Sequence, residues 1–167
     1  LALRGKCSGC HKPIAIRYPV VEALTALLFV ATAMRFGFTP LLFLRDWPFV
    51  ALLVAITFID FDHRIIPNEL SLGGLVLGLA TSYWTQDLGI LGSVSGAALG
   101  FVIFYGFAWS YEHFTGRVGL GGGDIKLLAM LGAFLGPEGV FATILVSSIL
   151  GSVLGLLYGR LSKQSQV

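Results

Sequence analysis

Long apolar runs separated by short charged segments constrain this chain more than any other feature. One of them, PFVALLVAIT at residues 48–57, contains no charged side chain. Of the 167 residues, 56% are hydrophobic and 12% are charged, about half the charged fraction of an average soluble domain. A soluble chain of this length could not bury so much apolar surface, so the composition predicts an integral membrane protein. The net charge of +2 is too small to indicate nucleic-acid binding.

A helix needs about 20 apolar residues to cross a bilayer, and this criterion predicts six spans. They cover residues 18–36, 41–60, 67–84, 90–111, 124–136 and 139–159. Arg45, Asp46 and Pro48 interrupt the second span, which places the start of its regular helix at Trp47. The fifth is too short to cross easily, and we expect it to lie shielded among its neighbours. Because no strand pattern is found, the predicted fold is an all-α polytopic membrane helical bundle of about six transmembrane helices.

The distribution of basic residues predicts the orientation of this bundle. With six spans, nine of the eleven Lys and Arg residues fall on one side, and only Arg35 and Arg45 fall on the other. The positive-inside rule then places both termini in the cytoplasm. The predicted organisation is a cytoplasmic segment, 1–17, followed by a membrane-embedded domain, 18–167. The chain starts with LALRGKC, without an initiator Met or a signal peptide, so we expect a longer natural protein.

Glycines recur at four-residue spacing in two of the predicted spans. The two sets are Gly92, Gly96 and Gly100, and Gly151, Gly155 and Gly159. Such spacing lets membrane helices approach closely, so it predicts helix packing and no chemistry.

Acidic side chains stand out at one predicted membrane face. Asp60 lies in FIDFDHRIIPN, residues 58–68, and Asp124 lies in GLGGGDIK, residues 119–126. Carboxylates at such depth are costly and usually face a cavity or a partner. Two carboxylates brought close share a proton, so that one acts as a general base toward water while the other polarises a carbonyl group. The pair therefore indicates aspartic protease chemistry.

Each motif also has a simpler interpretation. Asp62, His63 and Arg64, taken separately, are more often solvated residues at a helix end. A glycine-rich turn before an Asp is often a loop that ends in a helix cap. If the turn is functional, its glycines supply a backbone that can adopt positive φ and lie against an extended substrate, and they remove side chains that would block access to the carboxylate. These glycines are Gly119, Gly121, Gly122 and Gly123.

Three segments together resemble the type IV prepilin peptidases, membrane aspartic proteases of the GxGD class. FIDFDHRIIPN matches D-x-D-x-x-x-I-P, GLGGGDIK matches G-x-G-x-G-D-x-K, and KCSGCHKPIAIRYPVVE matches C-x-x-C followed by I-x-x-R-Y-P-x-V-E. The resemblance covers essentially the whole chain. It implies that Asp60 and Asp124 are the catalytic pair, because the catalytic Asp of the wider group lies seven residues before the Pro, here Pro67.

The resemblance also implies roles for neighbouring residues. Asp62 either supports Asp60 or substitutes for it, and Gly121 and Gly123 support Asp124. Lys126 influences Asp124 electrostatically, binds substrate, or is an ordinary juxtamembrane lysine. Glu22 either contacts the basic leader of the substrate or forms a cap or hydrogen bond within the bundle.

The function implied by the resemblance is removal of a short basic leader from type IV prepilins or pseudopilins. The expected location is the cytoplasmic face of the bacterial inner membrane, in pilus assembly or type II secretion. Proteolysis needs no cofactor. Many family members also methylate the new N-terminus with S-adenosylmethionine, an activity expected only of the full-length protein.

Cys7 and Cys10 form a C-x-x-C pair, which is half of a tetrahedral zinc site. A cytoplasmic location disfavours a disulfide between them. Family members with a long cytoplasmic segment carry another such pair upstream, so zinc is expected in the full-length protein rather than in this chain alone. The adjacent His11 is more often solvated than a ligand in such a basic loop.

Two other classes of function compete with the protease. A small transporter could use Asp60 and Asp124 as a proton or cation relay, since intramembrane carboxylates mark such paths. The lack of an internal repeat and the placement of both acids at one face argue against it. A non-catalytic assembly scaffold would carry the same aspartates as inert residues.

Overall fold

The computed structural model describes residue 9 and residues 15–85, 87–117 and 119–164, which are almost entirely helical. The helices are α1 (Arg17–Phe36), α2 (Trp47–His63), α3 (Asn68–Thr81), α4 (Gly89–Thr115) and α5 (Gly122–Gln164). A π-helical segment, Leu42–Asp46, precedes α2, and a 3₁₀ turn, Ser82–Trp84, follows α3. No strand occurs among these residues, and the prediction of an all-α membrane protein is confirmed.

Four helical stretches are long and apolar enough to cross a membrane: Arg17–Phe36, Leu42–His63, Gly89–Thr115 and Gly122–Arg160. The helix α3 has only 14 residues and is not one of them. The fourth stretch is broken at Gly136, whose φ of 73° is not helical and which is followed by Pro137. This break separates the predicted segments 124–136 and 139–159. The six helical segments therefore correspond to those predicted, while their number as complete spans stays a prediction.

The helix α2 starts at Trp47, as the sequence predicts, but it ends at His63 rather than at residue 60. It stops there because Arg64 adopts a left-handed conformation, with φ 53°, and donates its N–H to the carbonyl oxygen of Asp60 at 2.7 Å. This closing bond is typical of helix C-termini. Asp60 consequently lies inside the last turn, rather than at the end of the span.

The chain divides into two compact units, residues 1–64 and 65–167. In the first, α1 packs against α2 and the π-helical segment. The indole ring of Trp47 stacks on Phe29 with 5.0 Å between ring centroids, and its Nε1 donates to the Phe29 carbonyl oxygen at 3.2 Å. This aromatic stack, with its satisfied indole N–H, stabilises the packing of α1 on α2 near the start of α2.

The second unit is built on close contact between α4 and α5. A Cβ atom at Gly96 would lie 2.7 Å from the Cα of Gly136, and one at Gly100 would lie 2.5 Å from the carbonyl oxygen of Leu128. Ser93 donates its hydroxyl to the Ala133 carbonyl oxygen at 2.6 Å. The predicted packing role is thus confirmed for the first glycine set at these two positions.

The second glycine set does not show the predicted close packing between helices. A Cβ atom at Gly151, Gly155 or Gly159 would meet no other atom within 4 Å in the described part of the chain. These three glycines therefore make no close helix contact within the described residues.

Candidate active site

The last turn of α2 carries both Asp60 and Asp62, and only Asp62 is held by another side chain. Arg17, the first residue of α1, forms a short hydrogen bond and ion pair through its Nη1 with Oδ1 of Asp62. Its Nη2 donates to the carbonyl oxygen of Phe58 at 3.1 Å, and its guanidinium carbon lies 5.2 Å from the centroid of the Phe58 ring. One arginine thus makes three contacts with the end of α2, one to Asp62 and two to Phe58.

Asp60 is exposed, and no described residue donates a hydrogen bond to its carboxylate. Residues two positions apart in an α-helix are rotated by about 200°. Asp60 therefore projects from the side of α2 opposite to Asp62, away from α1. Of the two acids in FIDFDHRIIPN, Asp60 has the free carboxylate and Asp62 has the occupied one.

A groove of about 620 Å³ lies between α1 and α2 on the Asp62 side. Its lining includes Tyr18, Glu22 and His63, together with Arg17 and Asp62, but not Asp60. Glu22 is exposed and receives no hydrogen bond from a described residue, so the predicted hydrogen bond within the bundle is not observed there.

Asp124 is the third residue of α5 and is half-buried. Its backbone N–H donates to the carbonyl oxygen of Gly121 at 3.1 Å, which closes the first turn. A Cβ atom at Gly121 would lie 3.2 Å from Oδ2 of Asp124. A side chain at residue 121 would therefore press directly on the candidate catalytic carboxylate.

The described glycines before Asp124 do not adopt positive φ, which is the first of the two roles that the sequence predicts for them. Among the described residues, the glycines with positive φ are Gly37, Gly89, Gly116 and Gly136. The physical reason for the difference is that α5 already begins at Gly122, so the second half of the glycine run is helical. These glycines allow close approach instead.

Two contacts connect the start of α5 with the segment around the start of α3. A Cβ atom at Gly123 would lie 2.8 Å from the Cβ of Ile66. Lys126 donates from Nζ to Oδ1 of Asn68 at 2.6 Å. The IIPN end of one motif therefore packs against the GGGDIK end of the other.

The structure adds four residues that the sequence analysis did not single out: Arg17, Phe58, Ile66 and Asn68. All four stand inside the quoted motifs, so the motifs were the available signal. Their partners could not be deduced, because every contact crosses from one helix or loop to another.

The predicted zinc ligands Cys7 and Cys10, and the neighbouring His11, lie outside the described residues. Among the residues that are described, no group of three or more His, Cys, Asp or Glu side chains is arranged to hold a metal ion.

Asp60 belongs to the first unit and Asp124 to the second. Asp60 is exposed and Asp124 is half-buried, and a residue two positions along the chain from each makes a polar contact: Asp62 with Arg17, and Lys126 with Asn68. A carboxylate without a hydrogen-bond partner can accept a proton from water, which is the chemistry required of a general base.

Comparison with known proteins places these motifs in a family. Residues 47–156, which contain both Asp60 and Asp124, match the model of the type IV leader peptidase family. Residues 1–36 match that of the bacterial peptidase A24 N-terminal domain. No solved structure matches the chain.

Several curated relatives carry the name prepilin leader peptidase/N-methyltransferase. The chain is 42% identical to the relative from Aeromonas hydrophila over 163 residues, which cover 93% of this chain and 53% of the relative. It is 41% identical to that of Pseudomonas aeruginosa over 164 residues, 96% of this chain and 55% of the relative. The chain thus spans about half the length of these relatives, and none of these names supports the transporter interpretation. The chain belongs to the type IV leader peptidase family.

Proposed function

We propose that this chain is the aspartic endopeptidase part of a prepilin leader peptidase. The observation that carries the proposal is the family match over residues 47–156, which contains both candidate carboxylates. The substrates are type IV prepilins or prepilin-like pseudopilins, and the chain removes their short basic leader.

Asp60 and Asp124 are the two catalytic carboxylates in this proposal. One, ionised, accepts a proton from water while the water oxygen attacks the carbonyl carbon of the scissile peptide bond. The other, protonated, donates a hydrogen bond to the carbonyl oxygen. When the tetrahedral intermediate collapses, its C–N bond breaks and the carboxyl group that took a proton from water returns one to the leaving nitrogen, so the products are a carboxylate and a free amine.

The choice of Asp60 over Asp62 is supported by the contacts of the last turn of α2. Asp62 is engaged by the Arg17 guanidinium, which would have to release it before Asp62 could act as a base. Asp60 has no such partner among the described residues. Asp62 therefore supports the catalytic turn without reacting.

The proposed location is the bacterial inner membrane, with both termini in the cytoplasm, since nine of the eleven basic residues fall on one side of the six predicted spans. A leader of basic residues stays in the cytoplasm while the apolar helix behind it enters the lipid. The scissile bond then lies at the same boundary as the predicted positions of Asp60 and Asp124.

Glu22 is proposed to contact the basic leader, because its exposed carboxylate lines the groove between α1 and α2. Replacement by Gln would then raise KM and leave kcat unchanged. A contact made equally in the ground state and the transition state has this kinetic signature.

The full-length protein is proposed to add methylation of the new N-terminus and a zinc site. Methylation is supported by the name of the relatives, and it would use S-adenosylmethionine. Zinc would be held by Cys7 and Cys10 with two further thiolates from outside this chain, to complete a tetrahedral site.

The test is leader removal from a prepilin embedded in proteoliposomes, with Asp60→Asn, Asp124→Asn and Asp62→Asn compared with the parent. We expect the first two variants to lose cleavage while remaining folded, and Asp62→Asn to retain measurable cleavage. Cleavage by both Asp60→Asn and Asp124→Asn would overturn the proposal and favour a scaffold. Loss only at Asp62 and Asp124 would move the catalytic role to Asp62.

A further inference from the structure

We propose that Arg17 is a positioning residue that holds the last turn of α2, and with it the Asp60 carboxylate, in the orientation needed for cleavage. This inference rests on the proposed function, because it assumes that Asp60 is catalytic. Arg17 lies outside the match of residues 47–156 and inside that of residues 1–36 to the bacterial peptidase A24 N-terminal domain.

The contacts of Arg17 bracket Asp60 along the chain. One nitrogen of the guanidinium bonds to the Phe58 carbonyl oxygen and another bonds to the Asp62 carboxylate, two residues before and two residues after Asp60. The planar guanidinium also lies over the Phe58 ring. Because the two acceptors are four residues apart, one arginine spans a full turn of the helix.

This turn needs such support because it is the end of the helix. The last four carbonyl groups of a helix have no partner within it, and helix ends fray for this reason. Beyond His63 the chain leaves the helix through the left-handed Arg64. A catalytic carboxylate in a fraying turn would sample many orientations, and Arg17 limits them from the side facing α1.

Arg17 acts through Asp62 and Phe58 rather than on the substrate. Asp60 is about 200° around the helix from Asp62, so the face that would meet the scissile bond is turned away from Arg17. A lysine could not replace the contacts, because an ammonium group is a point charge without the fork that reaches two acceptors at once.

The ion pair between Arg17 and Asp62 contributes little to the stability of the fold. A positioning role can therefore be distinguished from a structural role by measuring catalysis and stability separately. The side chains of Arg17 and Asp62 are 42% and 37% exposed, and exposed ion pairs stabilise proteins weakly. Loss of Arg17 should therefore reduce catalysis while leaving the unfolding temperature almost unchanged.

The experiment measures kcat, KM and the unfolding temperature of Arg17→Ala and Arg17→Lys on a prepilin in proteoliposomes. The matched control is Arg35→Ala, which removes the other arginine of α1, also stacked on a ring, Phe36, at 5.6 Å. Misplacement of a catalytic group by about 1 Å can cost about 10²-fold in rate. We expect a fall in kcat of up to this size in both Arg17 variants, with KM and unfolding temperature unchanged, and no effect in the control.

Arg17→Lys keeps the positive charge, so a fall in its kcat cannot come from altered membrane orientation. Exchanging the two charges tests whether the ion pair itself matters. The double variant Arg17→Asp with Asp62→Arg should cleave faster than either single variant, because it can form the ion pair in reverse. In contrast, Glu22→Gln, in the same groove, is expected to change KM alone.

Two results would overturn the inference: kcat of Arg17→Ala equal to that of the parent, or a fall in kcat that is matched by a lower unfolding temperature and not rescued by the exchange. Asp60→Asn is measured alongside to separate the two proposals. If Asp60→Asn still cleaves, the proposed function fails; if it is inactive while Arg17→Ala is fully active, only the positioning role fails.

Discussion

Replacement of Gly123 by Ala is the sharpest test of how the turn before Asp124 is held. The added Cβ would lie 2.8 Å from the Cβ of Ile66. A side-chain rotation cannot relieve this contact, because the position of a Cβ atom is set by the backbone. The start of α5 and the segment before α3 must therefore move apart.

The size of the movement follows from the contact distance. Carbon atoms in normal contact are about 3.5–4.0 Å apart, so the separation must grow by about 1 Å. Asp124 is the next residue, and it moves with the turn. A misplacement of about 1 Å can lower the rate about 10²-fold, or about 2.7 kcal/mol in activation free energy.

The effect on stability is expected to be smaller than the effect on rate. Overpacking costs about 1–3 kcal/mol, but Ala is about 0.8–1 kcal/mol more favourable than Gly inside a helix. Gly122→Ala is the matched control, because a Cβ at this neighbouring glycine would meet nothing within 4 Å.

The assay is single-turnover leader removal from a membrane-embedded prepilin, followed by gel mobility. We expect Gly122→Ala to cleave like the parent and Gly123→Ala to cleave about 10²-fold more slowly. Ile66→Gly, which removes the opposing Cβ, should restore part of the rate in the Gly123→Ala background. Equal rates for the two alanine variants would refute the argument that the contact with Ile66 holds Asp124 in place.

Two further predictions concern the second unit. Gly96→Leu should lower the unfolding temperature strongly, because its Cβ would lie 2.7 Å from the Cα of Gly136. Gly106→Leu on the same helix should be tolerated, because a Cβ there would meet nothing within 4 Å. Equal shifts of the unfolding temperature in the two variants would contradict the packing of α4 on α5. Asn68→Ala removes the hydrogen-bond acceptor of the Lys126 ammonium group, so the cleavage rate should fall severalfold. Adding Lys126→Ala to this variant should lower the rate little further. Additive losses of rate would show that the two residues act separately.

Much of the architecture could be predicted from hydrophobic runs alone. The six predicted segments correspond to observed helical segments, because an apolar run of this length has few alternatives to a helix in lipid. The start of the regular α-helix at Trp47 was predictable, since Pro48 is tolerated in the first turn of an α-helix, where its missing N–H costs little. Its end was not, because it depends on the left-handed conformation of Arg64, a residue type that rarely adopts it.

The candidate site, too, was only partly predictable from the sequence. Asp60 and Asp124 were identifiable because charged side chains in apolar surroundings are conspicuous. Asp62 was equally conspicuous, and the sequence left its role open. The contact with Arg17, 45 residues earlier in the chain, distinguishes it from Asp60, and no local pattern indicates such a pairing.

The glycines before Asp124 show how one motif can have more than one physical role. The sequence predicts that they allow positive φ and that they keep side chains away from the carboxylate; Gly121 lies against the Asp124 carboxylate, in agreement with the second role, and Gly123 lies against Ile66. Absence of a Cβ permits either unusual φ or close approach, and only the neighbours decide which one is used.

The sequence by itself thus determined the membrane environment, the helical segments and the two motifs with their carboxylates, because hydrophobicity and charge act locally along the chain. The tertiary structure alone decided that Arg17 occupies Asp62 and leaves Asp60 free, that Asn68 holds Lys126, and that Gly96 lies against α5. These contacts join residues far apart in the chain, and their geometry depends on how the helices pack.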